Sequence, residues 1–325
     1  MSDNLSVLII GCGDIASGFD ENVGTGPILS HAGAFKSDGR FKIVACVEPN
    51  AERRAKFMAT WDVEEGYHDL MSCLNKRNHF DVVSICAPTE HHCSLLDILI
   101  KAQVRCIFAE KPLTDNSERS KAIIKSFKKA GTSIAVNYLR RWGGWLGELR
   151  EELHSGEWGN LQGVGGLYAK GLLNCGSHFF DLVHYLIGPL EPRTILGRID
   201  DGRVKDPTLS VFLETEFGAP VNLIGTNANT FFPFEVSLVM DKGQLSLENL
   251  GFELRKRRVV SHSVYRHQQT LGCGDWQATG LDSAMINAVN NIYEHLTLDV
   301  PLASNDSNAL YAEELCAKIL AMTKG

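Results

Sequence analysis

The sequence predicts an α/β protein in which a doubly wound parallel sheet is followed by an α+β domain. Short apolar runs rich in β-branched residues alternate with helical patterns through the first 138 residues, which is typical of a parallel sheet. A glycine-rich turn directly follows the first run. After Tyr138 longer segments alternate polar and apolar residues, as antiparallel strands do. The 325 residues can form two cores, so we expect domains at 1–136 and 137–325.

The elements of the first domain follow from this alternation. Strands are predicted at 6–11, 42–47, 82–87, 105–109 and 133–137, and helices at 50–60, 92–101 and 116–130. The last helix has Thr114 or Asp115 as its candidate N-cap and Gly131 as its end. Crossovers of this kind make the sheet parallel and right-handed.

The second domain is predicted as a large, mostly antiparallel sheet with helices. Strands are expected at 162–170, 194–199, 209–217, 219–226, 234–240 and 244–247, and helices near 146–154, 177–187, 281–296 and 307–322.

Composition restricts the partners and the compartment. The net charge of -7 would repel nucleic acid and anionic membranes, so a small-molecule ligand is expected. The nine cysteines are scattered singly without a CxxC pair, which predicts neither a disulfide framework nor a zinc ribbon. The N-terminal residues show no signal-peptide pattern, and no apolar run is long enough to span a bilayer. We therefore expect a cytoplasmic protein.

The glycine turn predicts a dinucleotide site. Gly11 and Gly13 lie in the pattern GxGxxA immediately after the first strand, where backbone can approach a pyrophosphate. The helix that opens at Asp14 and Ile15 would contribute N–H donors and a favourable dipole. The same tetrapeptide recurs at 272–275 after a polar stretch, where a loop is expected.

Glu48 ends the second predicted strand and would accept hydrogen bonds from the adenosine ribose. Its charge favours NAD over NADP, although Arg53 and Arg54 could attract a 2′-phosphate. The separation of Glu48 from Gly13 exceeds the usual spacing of about 20 residues. Residues 18–30 therefore form an insertion, expected to be a surface loop or a lid over the cofactor phosphates.

A charged pair, Glu110-Lys111, ends the apolar run 104–108 and is followed at once by Pro112. Strand ends of this kind are where α/β enzymes place their chemistry. A lysine there can donate to a substrate oxygen and stabilise a developing alkoxide. The alternative is a surface turn with a proline stop.

Together the glycine turn, Glu48 and Glu110-Lys111-Pro112 resemble the Gfo/Idh/MocA family of NAD(P)-dependent oxidoreductases. The resemblance extends to Pro88 and to His92 four residues later, and it implies that Pro88, His92, Glu110 and Lys111 bind the cofactor. It places Lys111 beside the nicotinamide and suggests a cis Lys111-Pro112 peptide. His91 and His92 have no supporting Cys or carboxylate cluster, so we expect no metal.

The segment 171–181 is similar to the family's helix-opening segment in the second domain. Asn174 stands where the family has an aspartate, while His178 and Asp181 match. A neutral imidazole is a natural acceptor of a hydroxyl proton, so His178 is the predicted acid-base group, although an i,i+3 structural pair with Asp181 is the alternative. The resemblance further implies that Asn174 and Asp181, with Arg140 or Arg141 at the domain junction, contact substrate.

The resulting hypothesis is NAD-dependent oxidation of a secondary alcohol on a sugar, polyol or sugar derivative such as a nucleotide sugar, or reduction of the matching ketone. By the family resemblance the site lies between the domains, and the open sheet face supports a homodimer or homotetramer. Two alternatives remain: a glycosidase that uses tightly held NAD for transient oxidation and elimination, and a non-catalytic NAD-binding regulator. The basic run 255–258 is expected at a solvated strand end or at an anionic substrate group.

Overall fold

The computed structural model describes residues 4–20 and 26–323, which fold into two compact units. The first unit runs to Trp142 and includes Asp282–Leu310; the second comprises Gly143–Leu281 and the chain from Tyr311 onward. We had expected 282–310 in the second domain. The helix in this segment instead packs on the first unit, where the Tyr293 ring contacts Phe41 and lies 4.0 Å from the guanidinium of Arg40.

The first unit is built on a six-stranded parallel sheet, as predicted. Its order, β3-β2-β1-β4-β5-β6, is that of a doubly wound nucleotide-binding sheet. With elements numbered in chain order through both units, the strands are β1 Leu5–Ile10, β2 Phe41–Val47, β3 Glu65–Tyr67, β4 His79–Ile85, β5 Gln103–Ala109 and β6 Ser133–Val136. Strand β3 was not predicted, because three residues carry too little pattern.

Helices cover this sheet, so its central strands are largely buried and mostly apolar. They are α1 His31–Asp38, α2 Ala51–Trp61, α3 Leu70–Leu74, α4 His92–Leu99, α5 Ser117–Ala130 and α8 Ala284–Leu298. The N-cap of α5 is Asn116, which accepts from the Arg119 amide at 3.1 Å; the predicted Thr114 instead donates to the Asn116 carbonyl. Gly131 ends α5 in the left-handed conformation, as predicted.

The second unit is built on a nine-stranded sheet ordered β14-β13-β12-β11-β7-β10-β9-β8, with β15 paired to β13. Only the β7–β10 pair is parallel among the described pairs of this sheet. The strands are β7 Leu161–Tyr168, β8 Leu190–Ile199, β9 Thr208–Thr215, β10 Pro220–Gly225, β11 Glu235–Met240, β12 Gly243–Glu248, β13 Glu253–Ser261, β14 Gln269–Leu271 and β15 Asp275–Ala278. The last three were not predicted, and the basic run lies inside β13 rather than at a strand end.

Helices cover one face of this sheet. They are α6 Gly144–His154, α7 Ser177–Leu186 and α9 Asp306–Met322, the last of which begins in the first unit. Their apolar side chains join the inward residues of the strands in one core that includes Trp158, Tyr168 and Phe179. The opposite face exposes apolar side chains such as Ile224 and Val239. Among the described residues, no helix combines the length and apolarity needed to cross a bilayer.

Candidate active site

The glycine turn lies at the carboxyl end of β1 and is shaped by two glycines in different ways. Gly11 has φ +86°, and a Cβ there would lie 2.8 Å from the Ala87 amide nitrogen, so glycine is required. At Gly13 a Cβ would meet nothing within 4 Å, which leaves its backbone open to a ligand. The chain then enters a π-helical turn, Asp14–Gly18, whose first two residues are Asp14 and Ile15. This geometry fits a pyrophosphate held by backbone amides.

Glu48 is buried beside this turn, and its carboxylate is held in a fixed orientation. One oxygen, Oε2, accepts from the Cys12 amide, and the other, Oε1, accepts from the Asn50 amide, both at 3.0 Å. Arg54 donates to the Glu48 carbonyl at 2.6 Å, whereas Arg53 places Nη1 3.7 Å from Oε2. The carboxylate thus links the glycine turn to the start of α2.

Two pockets flank Glu48 within the first unit. One of about 450 Å³ is lined by apolar and polar groups that include Gly11, Glu48, Arg53, Met71, Pro88 and Ile98. The other, of about 350 Å³, is lined by residues that include Gly13, Asp14, Gly18, Arg53 and Lys56. The first suits an adenine and its ribose, and the second adjoins the backbone expected to hold phosphates. The residues present therefore fit a nicotinamide dinucleotide.

His92 does not face these pockets. Its side chain is fully buried; Nδ1 lies 3.0 Å from the Pro112 carbonyl oxygen, and Nε2 lies 2.9 Å from that of Ala87. The ring thereby ties the end of β4 to the segment that follows β5. We therefore assign it a positioning role instead of the predicted contact with cofactor.

Glu110 likewise points inward. Its Oε1 lies 3.0 Å from Nε2 of His31 and accepts from Nδ2 of Asn137 at 2.7 Å. Burial raises the pKa of the Glu110 carboxyl, but the hydrogen bond and charge of His31, the hydrogen bond of Asn137 and the charge of Lys111 together outweigh this and hold the pKa below its ordinary value. His31 was missed by the sequence reasoning. Because of these inward contacts, we assign Glu110 a positioning role rather than the predicted cofactor contact.

Lys111 stands at the end of β5, half-buried, and its peptide bond to Pro112 is cis, as the family resemblance suggested. Its backbone amide donates to Oε2 of Glu110 at 3.3 Å. The lysine therefore follows a buried, hydrogen-bonded carboxylate at the edge of the sheet that carries the glycine turn. A cation in this position is suited to bind an oxygen that gains negative charge.

In the second unit, Asn174 and His178 lie on the turn that opens α7, and both are half-buried. Asp206 fixes this turn, because Oδ1 accepts from the Leu173 amide at 2.7 Å and Oδ2 accepts from the Asn174 amide at 2.9 Å. The Asn174 side chain donates to the Lys170 carbonyl at 3.1 Å. No sequence signal identified Asp206, since it comes from a loop that precedes β9.

The other predicted substrate residues occupy different environments. Asp181 is only 2% exposed on α7, and its contact with substrate stays a prediction. Arg140 and Arg141 are half-buried in the turn after β6. Within the described part of the chain, no group of three or more His, Cys, Asp or Glu side chains is arranged to hold a metal.

The basic run in β13 is bound internally. Lys256 pairs with Glu152, and Arg258 pairs with Glu157 and stacks 3.6 Å from the Trp158 ring. Arg255 and Arg257 donate to carbonyls of the second Gly-Cys-Gly segment, which is a loop as predicted. These contacts give the run a structural role and remove the reason to assign it an anionic substrate group.

Part of the chain matches a known protein family. Residues 5–138 match the family model described as an oxidoreductase family with an NAD-binding Rossmann fold, GFO_IDH_MocA. Over this first domain the chain is similar to the Gfo/Idh/MocA family, and the inositol 2-dehydrogenases among its relatives extend the similarity to 75% of the chain. It is therefore an NAD-dependent oxidoreductase, and the Rossmann unit described above is its cofactor domain.

Two curated relatives and one solved structure illustrate the range of similarity. Inositol 2-dehydrogenase of Corynebacterium glutamicum is 26% identical over 264 residues, 75% of this chain and 73% of the relative. The scyllo-inositol 2-dehydrogenase (NAD(+)) of Bacillus subtilis is 26% identical over 167 residues, 45% of this chain and 46% of the relative. The WlbA dehydrogenase of Bordetella pertussis, solved with NADH and UDP-GlcNAcA, has a TM-score of 0.75 at 17% identity, over 99% of this chain and 97% of its own. This last similarity concerns the fold.

Proposed function

We propose that the protein oxidises a secondary alcohol of a sugar, polyol or sugar derivative with NAD, or reduces the matching ketone. The use of NAD is supported mainly by the buried Glu48 carboxylate, which two backbone amides orient beside a pocket of about 450 Å³. The substrate half is supported by the inositol dehydrogenases among the relatives, because a polyol and a sugar present the same reacting group, a ring carbon bearing hydrogen and hydroxyl.

Each residue then has a distinct task. Bound NAD supplies hydride acceptance. Lys111 donates a hydrogen bond to the substrate oxygen and stabilises the negative charge that grows as the C–H bond breaks. His178 takes the hydroxyl proton on a ring nitrogen and returns it in the reverse direction. Asn174 holds a neighbouring hydroxyl but transfers no proton, since an amide does not ionise.

The test is a screen for NADH formation at 340 nm with NAD and a panel of inositols, hexoses and nucleotide sugars. Bound cofactor is first identified by native mass spectrometry. One class of substrate should give turnover that Lys111→Met abolishes and that Lys125→Met, an exposed lysine on α5, leaves intact. Product formed from a glycoside without net NADH would favour the glycosidase instead. Tight NAD binding with no turnover on any substrate would favour the regulator.

A further inference from the structure

His31 is a buried histidine to which the proposed reaction gives no task. It opens α1, its side chain is fully buried, and its ring centroid lies 4.4 Å from that of Phe108. Both ring nitrogens are engaged, with Nε2 3.0 Å from Oε1 of Glu110 and Nδ1 2.8 Å from the Ser84 hydroxyl. The ring is therefore locked in position and bonded to the carboxylate that precedes Lys111.

The Glu110 carboxylate is held from several sides. Besides His31, the Asn137 amide donates to Oε1 at 2.7 Å, and Asn137 is itself fixed because its Oδ1 accepts from the Trp142 indole at 3.0 Å. The second oxygen, Oε2, accepts from the Lys111 amide at 3.3 Å. A rotation of the carboxylate would break several of these bonds at once.

The surroundings of His31 and Glu110 shift the pKa of each side chain toward its charged form. Burial lowers the pKa of His31, but the Cys86 sulfur and the Glu110 carboxylate raise it, and the net result is a pKa of about 10. The pKa of Glu110 is lowered in turn. Nε2 of His31 faces the Glu110 carboxylate at 3.0 Å, where loss of the histidine would leave a carboxylate with one hydrogen-bond partner fewer.

We propose that His31 is a positioning residue for Lys111, an inference that rests on the proposed role of that lysine. By holding Oε1 of Glu110, His31 fixes the carboxylate whose Oε2 accepts from the Lys111 backbone amide. The lysine then retains the place at the strand end that substrate requires.

Replacement of His31 by leucine should reverse this arrangement. Glu110 would keep its charge but lose the hydrogen bond that His31 makes to Oε1, so the carboxylate could turn toward the adjacent ammonium and draw it from the substrate. A displacement of about 1 Å can cost 10²-fold in rate, so kcat should fall about 10- to 10²-fold. The KM for NAD should stay within about threefold, because Glu48 and the glycine turn are untouched.

The experiment measures the reactivity of Lys111 without any substrate, so its result does not depend on the proposed activity. The wild type, His31→Leu, His31→Gln and the control His79→Leu, which alters an exposed histidine at the start of β4, are acetylated with limiting reagent. Acetylation at each lysine is quantified by mass spectrometry. Lys111 should react about fivefold or more slowly in His31→Leu and within about twofold of wild type in His31→Gln, whose amide can still donate to Glu110. Lys125 should react equally in all four.

Unchanged Lys111 reactivity and unchanged kcat in a folded His31→Leu protein would overturn the inference. Equal loss in His31→Gln and His31→Leu would also overturn it, since that result indicates a packing role of the ring. If His31→Leu does not fold, Glu110→Gln replaces it; because this change removes the charge that would draw the ammonium, Lys111 should react at least as fast as in the wild type, and a loss of fivefold or more would refute the proposal. If no substrate gives turnover in the dehydrogenase screen but Lys111 reactivity changes in His31→Leu, the proposed function is refuted and the positioning role of His31 is not.

Discussion

Replacement of Glu48 by glutamine tests cofactor choice. The side chain is 4% exposed and accepts from the Cys12 and Asn50 amides at 3.0 Å, so the carboxylate cannot swing away from an incoming ribose. Glutamine keeps the shape and removes the charge, although its amide group then faces one of those N–H donors. The change therefore mainly reports the electrostatic part of the discrimination between NAD and NADP.

The size of that part follows from Coulomb's law. A carboxylate and a 2′-phosphate charge about 4 Å apart repel by about 4 kcal/mol at an effective dielectric constant of about 20, which is about 10³-fold in affinity. Arg53 offsets part of this repulsion, because its Nη1 lies 3.7 Å from Oε2 on a half-exposed side chain. We expect the wild type to bind NAD about 30- to 10³-fold more tightly than NADP. Glu48→Gln should reduce this ratio below about fivefold, and Arg53→Ala should increase it.

Calorimetric titration of each variant with NAD and NADP measures both dissociation constants directly. Glu64→Gln is the matched control, because Glu64 is exposed and its nearest cation is Lys42 at 3.6 Å. Its ratio should equal that of the wild type. A Glu48→Gln protein that keeps the wild-type ratio, or a wild type that prefers NADP, would refute the reasoning.

Three further outcomes are expected. Lys111→Met should lower kcat by about 10²-fold or more, as loss of one preorganised donor does, while the affinity for NAD measured by calorimetry stays nearly intact. Unchanged turnover would show that the active site has been assigned to the wrong residues. His178→Ala should lose about 10²- to 10⁴-fold in kcat, whereas Asn174→Asp should keep substantial activity. The variants are compared by their pH–rate profiles. Normal turnover of His178→Ala together with an inactive Asn174→Ala would contradict these roles. Since the pKa of His31 is raised from 6.5 to about 10, its contribution to stability is complete below pH 6.5 and is lost as pH rises toward 10. Urea midpoints should therefore fall from pH 7 to 10 in the wild type and His79→Gln but less in His31→Gln, and equal slopes in all three would argue against the charged pair.

The parallel sheet was predictable because its strands are buried on both faces and so read as continuous apolar runs. The glycine turn and Glu48 were predictable for a related reason: the ends of parallel strands require particular residue types within a few positions. The second sheet was predictable where one face is covered, as in β10, whose residues alternate between exposed and buried. In these elements the pattern of apolar residues in the sequence agrees with the structure, because the burial of those residues both requires the pattern and stabilises the fold.

Elements defined by distant partners escaped prediction. The run Arg255 to Arg258 pairs with β12, and two of its four charges are paired with Glu152 and Glu157, about a hundred residues earlier. His31 acts on Glu110 across 79 residues, and Asp206 acts on Asn174 across 32. No local pattern encodes such pairs. The prediction of the α5 N-cap was wrong for a different reason. Three adjacent polar residues could each cap a helix, and only the tertiary context selects Asn116.

The replacement of the family's aspartate by Asn174 does not remove negative charge from the turn that opens α7. Asp206 supplies a carboxylate there, but both of its oxygens are occupied by the amides of Leu173 and Asn174. A carboxylate that accepts from backbone amides is stabilised in its ionised form and is a poor proton acceptor. Asp206 therefore shapes the turn without replacing the chemistry of an aspartate at position 174. Of the side chains proposed to act from this turn, His178 is then the only one that can exchange a proton near neutral pH, which is why the comparison of His178→Ala with Asn174→Asp decides the mechanism.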